Sequence, residues 1–209
     1  MFFPDTCFSC GAFAKIHVGL CPICLPAILN PTHVIERPAY FWMVDWTNRR
    51  QAWMSHWARH FKGNLPQKWR SLAEMTAEAL CTQGQFKKIG MGSSLVIVDP
   101  SQKKDHSYWY AHHLAEMLSA QHLPFFFLAS AGDQQKNLGP LMRQISSSNY
   151  EIRDPEVWIR HRTQPKTHWL FVDDIVTTGA TSQGAFHLLQ RPQSFLVVSW
   201  LKRHLEKIS

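Results

Sequence analysis

The segment Leu170-Phe171-Val172-Asp173-Asp174-Ile175-Val176-Thr177-Thr178-Gly179-Ala180-Thr181 restricts the fold more than any other part of the 209-residue chain. A short apolar run, Trp169 to Val172, ends in two adjacent carboxylates, and a hydroxyl- and glycine-rich turn then opens a helical pattern near Thr181–Gln190. An apolar run this short, bounded by turn signals, reads as a strand buried on both faces. Similar runs stand at Leu95–Val98, Phe125–Leu128 and Phe195–Trp200. Helical spacing separates them at Arg49–Phe61, Gln67–Leu80 and Tyr108–Ala120. Strands alternating with helices imply an α/β fold around a parallel sheet. Residues 130–149, rich in Gly, Gln, Ser and Asn, read as a long loop.

The same segment has chemistry. Backbone N–H groups at a helix start, helped by Thr hydroxyls, cradle a phosphate dianion, and Gly179 lets the backbone approach it closely. Adjacent carboxylates at a strand end accept hydrogen bonds from vicinal sugar hydroxyls. The segment therefore fits a sugar phosphate, with the diol on Asp173 and Asp174 and the phosphate on residues 177–181. The bland alternative is a capped loop with incidental acids. Neither G-x-x-x-x-G-K-[ST] nor G-x-G-x-x-G after a strand occurs, which excludes those two nucleotide-binding classes.

Four of the five cysteines form two pairs, Cys7-Phe8-Ser9-Cys10 and Cys21-Pro22-Ile23-Cys24. Two CxxC knuckles at this spacing read as a tetrahedral structural zinc site, with two disulfides or scattered core thiols as the alternatives. Gly11 and Pro22 suit such turns. Residues 1–29 read as a zinc ribbon and 30–38 as a linker, giving a first unit at 1–38 and a second at 39–209. Cys81 has no pairing partner in the pattern and reads as a small buried hydrophobe on a helix.

Hydrophobic residues make up 45% of the chain, enough for a core, which excludes a disordered polymer. No apolar run approaches the roughly 20 residues a bilayer span needs. Met1-Phe2-Phe3-Pro4-Asp5 lacks the basic-then-apolar order of a signal peptide, so the expected location is cytoplasmic. Net charge is +7, and residues 45–104 hold ten bases against four acids. Clustered positive charge attracts polyanions through counterion release. Arg49, Arg50, Arg59 and Lys62 are the candidates for single-stranded nucleic acid, with Trp53 and Trp57 as stacking surfaces; the alternative makes these tryptophans core and the bases a solvated face.

The 170–181 segment resembles the phosphoribosyl pyrophosphate (PRPP) motif of type I phosphoribosyltransferases. With the paired CxxC knuckles, His60-Phe61-Lys62-Gly63-Asn64, Val96-Ile97-Val98-Asp99-Pro100 and Lys136-Asn137-Leu138 with Arg143, the chain is similar to the ComF family of competence proteins from the ribbon to residue 201. The resemblance implies a zinc ribbon on a phosphoribosyltransferase-like α/β domain that handles incoming single-stranded DNA in natural transformation. Its implied partners are PRPP, that DNA, and a competence helicase or membrane-channel proteins. It puts the ribose on Asp173 and Asp174 and the 5′-phosphate on Thr177, Thr178, Gly179, Ala180 and Thr181. Pyrophosphate and Mg²⁺ would fall to Asp99, Pro100, Ser101 and Gln102, with Lys136. Two departures stand out: His106-Ser107-Tyr108-Trp109-Tyr110 replaces the family's Arg-Gly-Phe-Asn-Gln block, and Thr177 stands where some purine enzymes have an Asp base. A Thr hydroxyl is no general base at neutral pH. A true transferase of nucleotide or cofactor salvage, and a non-catalytic PRPP sensor, remain the alternatives.

Overall fold

A computed structural model describes residues 6–12, 19–47, 51–62, 66–83, 93–129, 150–164 and 166–204. In chain order its elements are α1 (Cys24–Ile28), β1 (Thr32–Val34), β2 (Ala39–Trp46), α2 (Gln51–Lys62), α3 (Pro66–Thr82), β3 (Ser94–Val98) and α4 (His106–Leu118). There follow β4 (Gln121–Leu123), β5 (Phe127–Ala129), β6 (Tyr150–Ile152), α5 (Pro155–Thr163), β7 (Thr167–Val176), α6 (Ala180–Leu188) and β8 (Phe195–Arg203). Six strands form one sheet in the order β1-β2-β8-β7-β3-β4. All neighbours in it are parallel except β1 and β2. The fold is thus mixed α/β with a mostly parallel sheet and a four-cysteine cluster near the N-terminus.

Each strand of the centre is apolar on both sides because each sheet face is covered. On one face Met54, Trp57, Trp69, Leu72, Leu80, Tyr110 and Leu114 from α2, α3 and α4 bury Phe41, Met43, Leu170, Val172, Val198 and Trp200. Cys7, Leu20, Cys21 and Ile28 join this same cluster. On the other face Phe126, Phe127, Ala185, Phe186 and Leu189 cover Val96, Val98, Trp169, Phe171 and Val197. Trp57, Trp69 and Trp200 are among the largest fully buried side chains. Burying one such ring is worth on the order of 4–6 kcal/mol of transfer free energy as an upper bound. Asp105 caps α4 by accepting from the Tyr108 N–H, and Asp154 caps α5 by accepting from the Val157 N–H.

Several expectations change. The stretch expected to be a linker contains β1, which pairs with β2. Of the strand expected at 125–128 only Phe127 and Leu128 are extended, in β5, outside the main sheet. Beside β3 lies β4, Gln121–Leu123, while Phe125 turns at φ 56° and β5 pairs with β6 in a small antiparallel ladder. Cys81 is on α3 as expected, but exposed rather than buried. The loop expected at 130–149 lies outside the described residues.

Candidate functional site

Parallel strands β3, β7 and β8 end on the same side of the sheet, the side on which ligands of open α/β sheets bind. β7 runs past its two acids to Val176, farther than the apolar run alone implied. Consecutive residues of a strand face opposite ways. Asp173 falls on the Phe171 face and is half-buried; Asp174 falls on the Leu170 and Val172 face and is 6% exposed. A sugar touching both would lie across the strand end. Both carboxylates meet the start of α4: the Ser107 hydroxyl donates to Asp173 Oδ1 at 3.3 Å, and His106 Nε2 lies 3.4 Å from Asp174 Oδ2. The Asp174 N–H donates to Asp173 Oδ1 at 2.9 Å.

After Val176 the chain turns through Thr177 and Thr178 to Gly179, at φ +77°, and α6 starts at Ala180. The first turn of a helix leaves N–H groups without intrahelical partners, and only residues 177–179 separate that turn from the end of β7. The Thr178 hydroxyl accepts from the Ala180 N–H at 3.3 Å, and the Ser182 hydroxyl donates to the Gly179 carbonyl at 2.9 Å. A Cβ on Gly179 would stand 2.8 Å from the Tyr40 hydroxyl oxygen. Lys202, near the end of β8, donates to the Thr177 carbonyl at 2.9 Å and lies 5.9 Å from the Tyr40 ring. Burial pulls its ammonium below the ordinary lysine range, with Glu36 and Asp45 opposing. All seven residues expected for the sugar phosphate therefore sit on one continuous strand–turn–helix segment.

Around it are residues that the sequence reading does not single out: Tyr40, Ser107 and Lys202. His106 and Ser107 enter that reading only as a departure from a family block. Their roles come from strand neighbours distant in sequence, such as Val176 opposite Lys202 in the β7–β8 register. Next to Asp174 and Thr177 opens a cavity of about 340 Å³, with Trp46, Ser55, Arg59 and Arg203 on its walls. The Arg203 guanidinium lies 4.9 Å from the centre of the Trp46 ring.

The turn after β3 starts beside this site, since Val98 is paired with Phe171. Its Asp99 is fully buried, with Oδ2 2.8 Å from His122 Nε2 and Oδ1 accepting from the Ser101 N–H at 2.9 Å. The Ser101 hydroxyl donates to Asp105, and Gln102 donates to the Phe127 carbonyl. These side chains hold the turn together. Lys136, Arg49 and Arg50 lie outside the described residues, as does the side chain of Lys62, whose backbone belongs to α2. Arg59 is exposed and donates to the Ser55 carbonyl. Trp57 is fully buried and makes an edge contact with Trp200, so it is core, not a stacking surface; Trp53 is half-buried.

The thiols of Cys7, Cys10, Cys21 and Cys24 lie within 4.8 Å of one another, and no cysteine forms a disulfide. The Sγ atoms of Cys10 and Cys21 are 3.9 Å apart, close to the ~3.8 Å edge of a tetrahedron of sulfurs around zinc. Gly11 turns at φ +73° and Gly19 at φ +81°, where a Cβ would meet the Phe8 ring at 2.6 Å. Burial works against the Cys7 thiolate, yet hydrogen bonds from the backbone around Cys10, Cys21 and Ser9 bring it down to about 6. Cys24 moves the other way, to about 12: the Ser9 hydroxyl favours its thiolate, but burial and the three neighbouring thiols outweigh that bond. Four thiolates coexist here only around a cation, and these soft donors fit zinc.

No protein-family model matches the chain, and no curated protein matches it in sequence. Comparison of three-dimensional structures does find matches. A hypoxanthine phosphoribosyltransferase of Trypanosoma cruzi is 16% identical, over 66% of this chain and 66% of that one, with a TM-score of 0.41. A mutant of the Trypanosoma cruzi enzyme complexed with the product IMP is 14% identical over 68% of this chain and 75% of that one, with a TM-score of 0.39. The protein TT1426 from Thermus thermophilus is 15% identical over 68% and 85% of the two chains, with a TM-score of 0.36.

Proposed function

We propose that the chain is a phosphoribosyltransferase-like protein that binds PRPP at the loop joining β7 to α6. The observation that supports this reading best is the unbroken run from β7 through Asp173 and Asp174 to a left-handed Gly179 at the start of α6. A ribose diol meets carboxylates at the strand end, and a 5′-phosphate meets the N–H groups and hydroxyls of residues 177–181. Lys202 adds positive charge beneath the turn. Asp173 is a hard-oxygen donor of the kind that suits Mg²⁺ and is half-buried, whereas Asp99 is fully buried against His122 and Ser101. Mg²⁺, when bound with PRPP, would neutralise charge developing on the leaving pyrophosphate. The turn at 99–102 and Lys136 would flank that group.

The finer reading is of the ComF type: a PRPP-binding protein with a structural zinc ribbon that supports the handling of single-stranded DNA in natural transformation. The resemblance in sequence and the basic excess at 45–104 support it. A second reading, a true transferase of nucleotide or cofactor salvage, is favoured by the cavity beside Asp174 and Thr177, where an acceptor ring would find Trp46 and Arg203. Incubation with PRPP, Mg²⁺ and a panel of nucleobases separates them. Acceptor-dependent pyrophosphate release supports the transferase. PRPP binding without release, together with loss of oligonucleotide affinity on replacing Arg49, Arg50 and Lys62 by Ala, supports the ComF-type reading.

A further inference from the structure

At the other end of the sheet, where β7 and β8 begin, lies a cavity of about 590 Å³. It is walled by the C-terminal turn of α5, the first residues of β7 and the connection from α6 to β8. Its volume is in the range of small-molecule sites. Among the described residues that line it none is acidic, while Arg162 and Lys166 bring two fixed positive charges. Burial pushes His161 and His168 below the ordinary imidazole range, so the fixed charge at neutral pH is that of Arg162 and Lys166.

Basic residues in the last turn of a helix often serve only to complement its dipole. Here much of that task is already done by hydroxyls. Thr163 donates to the Ile159 and Arg160 carbonyls, and Thr167 donates to the His161 carbonyl at 2.8 Å. Arg162 lies instead with its guanidinium carbon 5.0 Å from the centre of the Trp158 ring. Lys166 is held at φ +70° and Gln190 at φ +58°, left-handed backbone that such residues rarely adopt. His161, 4% exposed, lines the cavity beside Gln164 with its Nδ1 buried.

From this wall we infer a second binding site, separate from the β7–α6 loop, for a nucleoside phosphate. Arg162, steadied over the Trp158 ring, and Lys166 take the phosphate, and Trp158 and Trp169 form the aromatic part of the wall beside them. Gln164 and Gln193 supply hydrogen bonds to base and sugar. A free phosphate would leave the aromatic and amide part of the wall unused, and a cavity of this size holds one nucleotide rather than a strand.

Equilibrium dialysis of the full chain against AMP, inorganic phosphate and an oligothymidine octamer tests it. AMP is expected to bind, with affinity reduced at least tenfold in Arg162→Gln/Lys166→Gln and changed less than twofold in Arg70→Gln, an exposed charge on α3 outside both sites. Arg162 and Lys166 are both exposed, so the melting temperature should hold. If it does not, Gln193→Glu, which sets a carboxylate in the wall from an exposed position, must weaken AMP instead. The inference is overturned if the charge variant, or Gln193→Glu in its place, binds AMP like the wild type, or if Arg70→Gln weakens AMP as much. It is likewise overturned if inorganic phosphate binds as tightly as AMP, or if the octamer binds more tightly than AMP and loses affinity in the same variant.

Discussion

Gly179 turns at φ +77°, and the Tyr40 hydroxyl stands 2.8 Å from where a Cβ would be. Left-handed backbone costs an L-residue about 1–2 kcal/mol, and the contact with Tyr40 adds to it. Gly179→Ala should therefore lower stability by at least about 1 kcal/mol, read as a shift in urea midpoint, and should weaken PRPP by displacing the N–H groups of α6. An unchanged midpoint would show that the turn relaxes freely. Asp99 makes a different kind of prediction. Its buried carboxylate is held by His122 at 2.8 Å and by the Ser101 N–H. Removing a partner of a buried charged group costs about 1.5–3 kcal/mol, so His122→Ala should destabilise by that amount. Equal urea midpoints for His122→Ala and wild type would deny the pairing. This residue also shows a limit of sequence reading: Asp99 stands at the right place for a ligand, and only the position of His122, a β4 neighbour, reveals that it is bonded internally.

Among elements, the four-cysteine cluster makes the prediction that reaches outside the chain. Purified without chelator, the protein should carry about one zinc per chain, and Cys21→Ser should lose both the metal and solubility, since a ribbon this short has little core of its own. Metal analysis finding no zinc would contradict this. Protons compete with zinc for thiolates. Cys7, lowered to about 6, is below an ordinary thiol, so its ionised form stabilises the fold at high pH and that contribution is lost as pH falls through about 6. Zinc release monitored by a chromogenic chelator should accordingly rise as pH falls, and release that rises toward alkaline pH instead would contradict the assignment. The ribbon was legible because two knuckles at fixed spacing have a chemical meaning independent of tertiary context. β3, α4, β7, α6 and β8 were legible because their apolar periods agree with their burial. β1 and β4, three residues each, carry too little periodicity, and their pairing is set by neighbours far along the chain. β2 is different: Ala39–Trp46 is an aromatic, apolar run whose signal was present, and its parallel pairing with β8 makes it part of the sheet's centre.

Across the whole molecule, parallel pairing decides what meets what. Because β3, β7 and β8 end together, Asp173, the turn at 99–102 and Lys202 share one end of the sheet, and the Arg162 and Lys166 cavity occupies the other. Among the described residues no helix is long and apolar enough to cross a membrane. The sequence reading located the phosphate loop but not its surroundings, since β8 and β2 supply Lys202 and Tyr40 only through the sheet order. The central claim is that PRPP binds at the β7–α6 loop. Titration calorimetry of PRPP with Mg²⁺ into wild type and into Asp173→Ala tests it most directly. Loss of one charge-assisted hydrogen bond, roughly 1.5–3 kcal/mol, should weaken binding by about one to two decades while the melting temperature stays near that of wild type. Equal affinity in the two proteins, or no heat of binding to the folded wild type, would contradict the assignment.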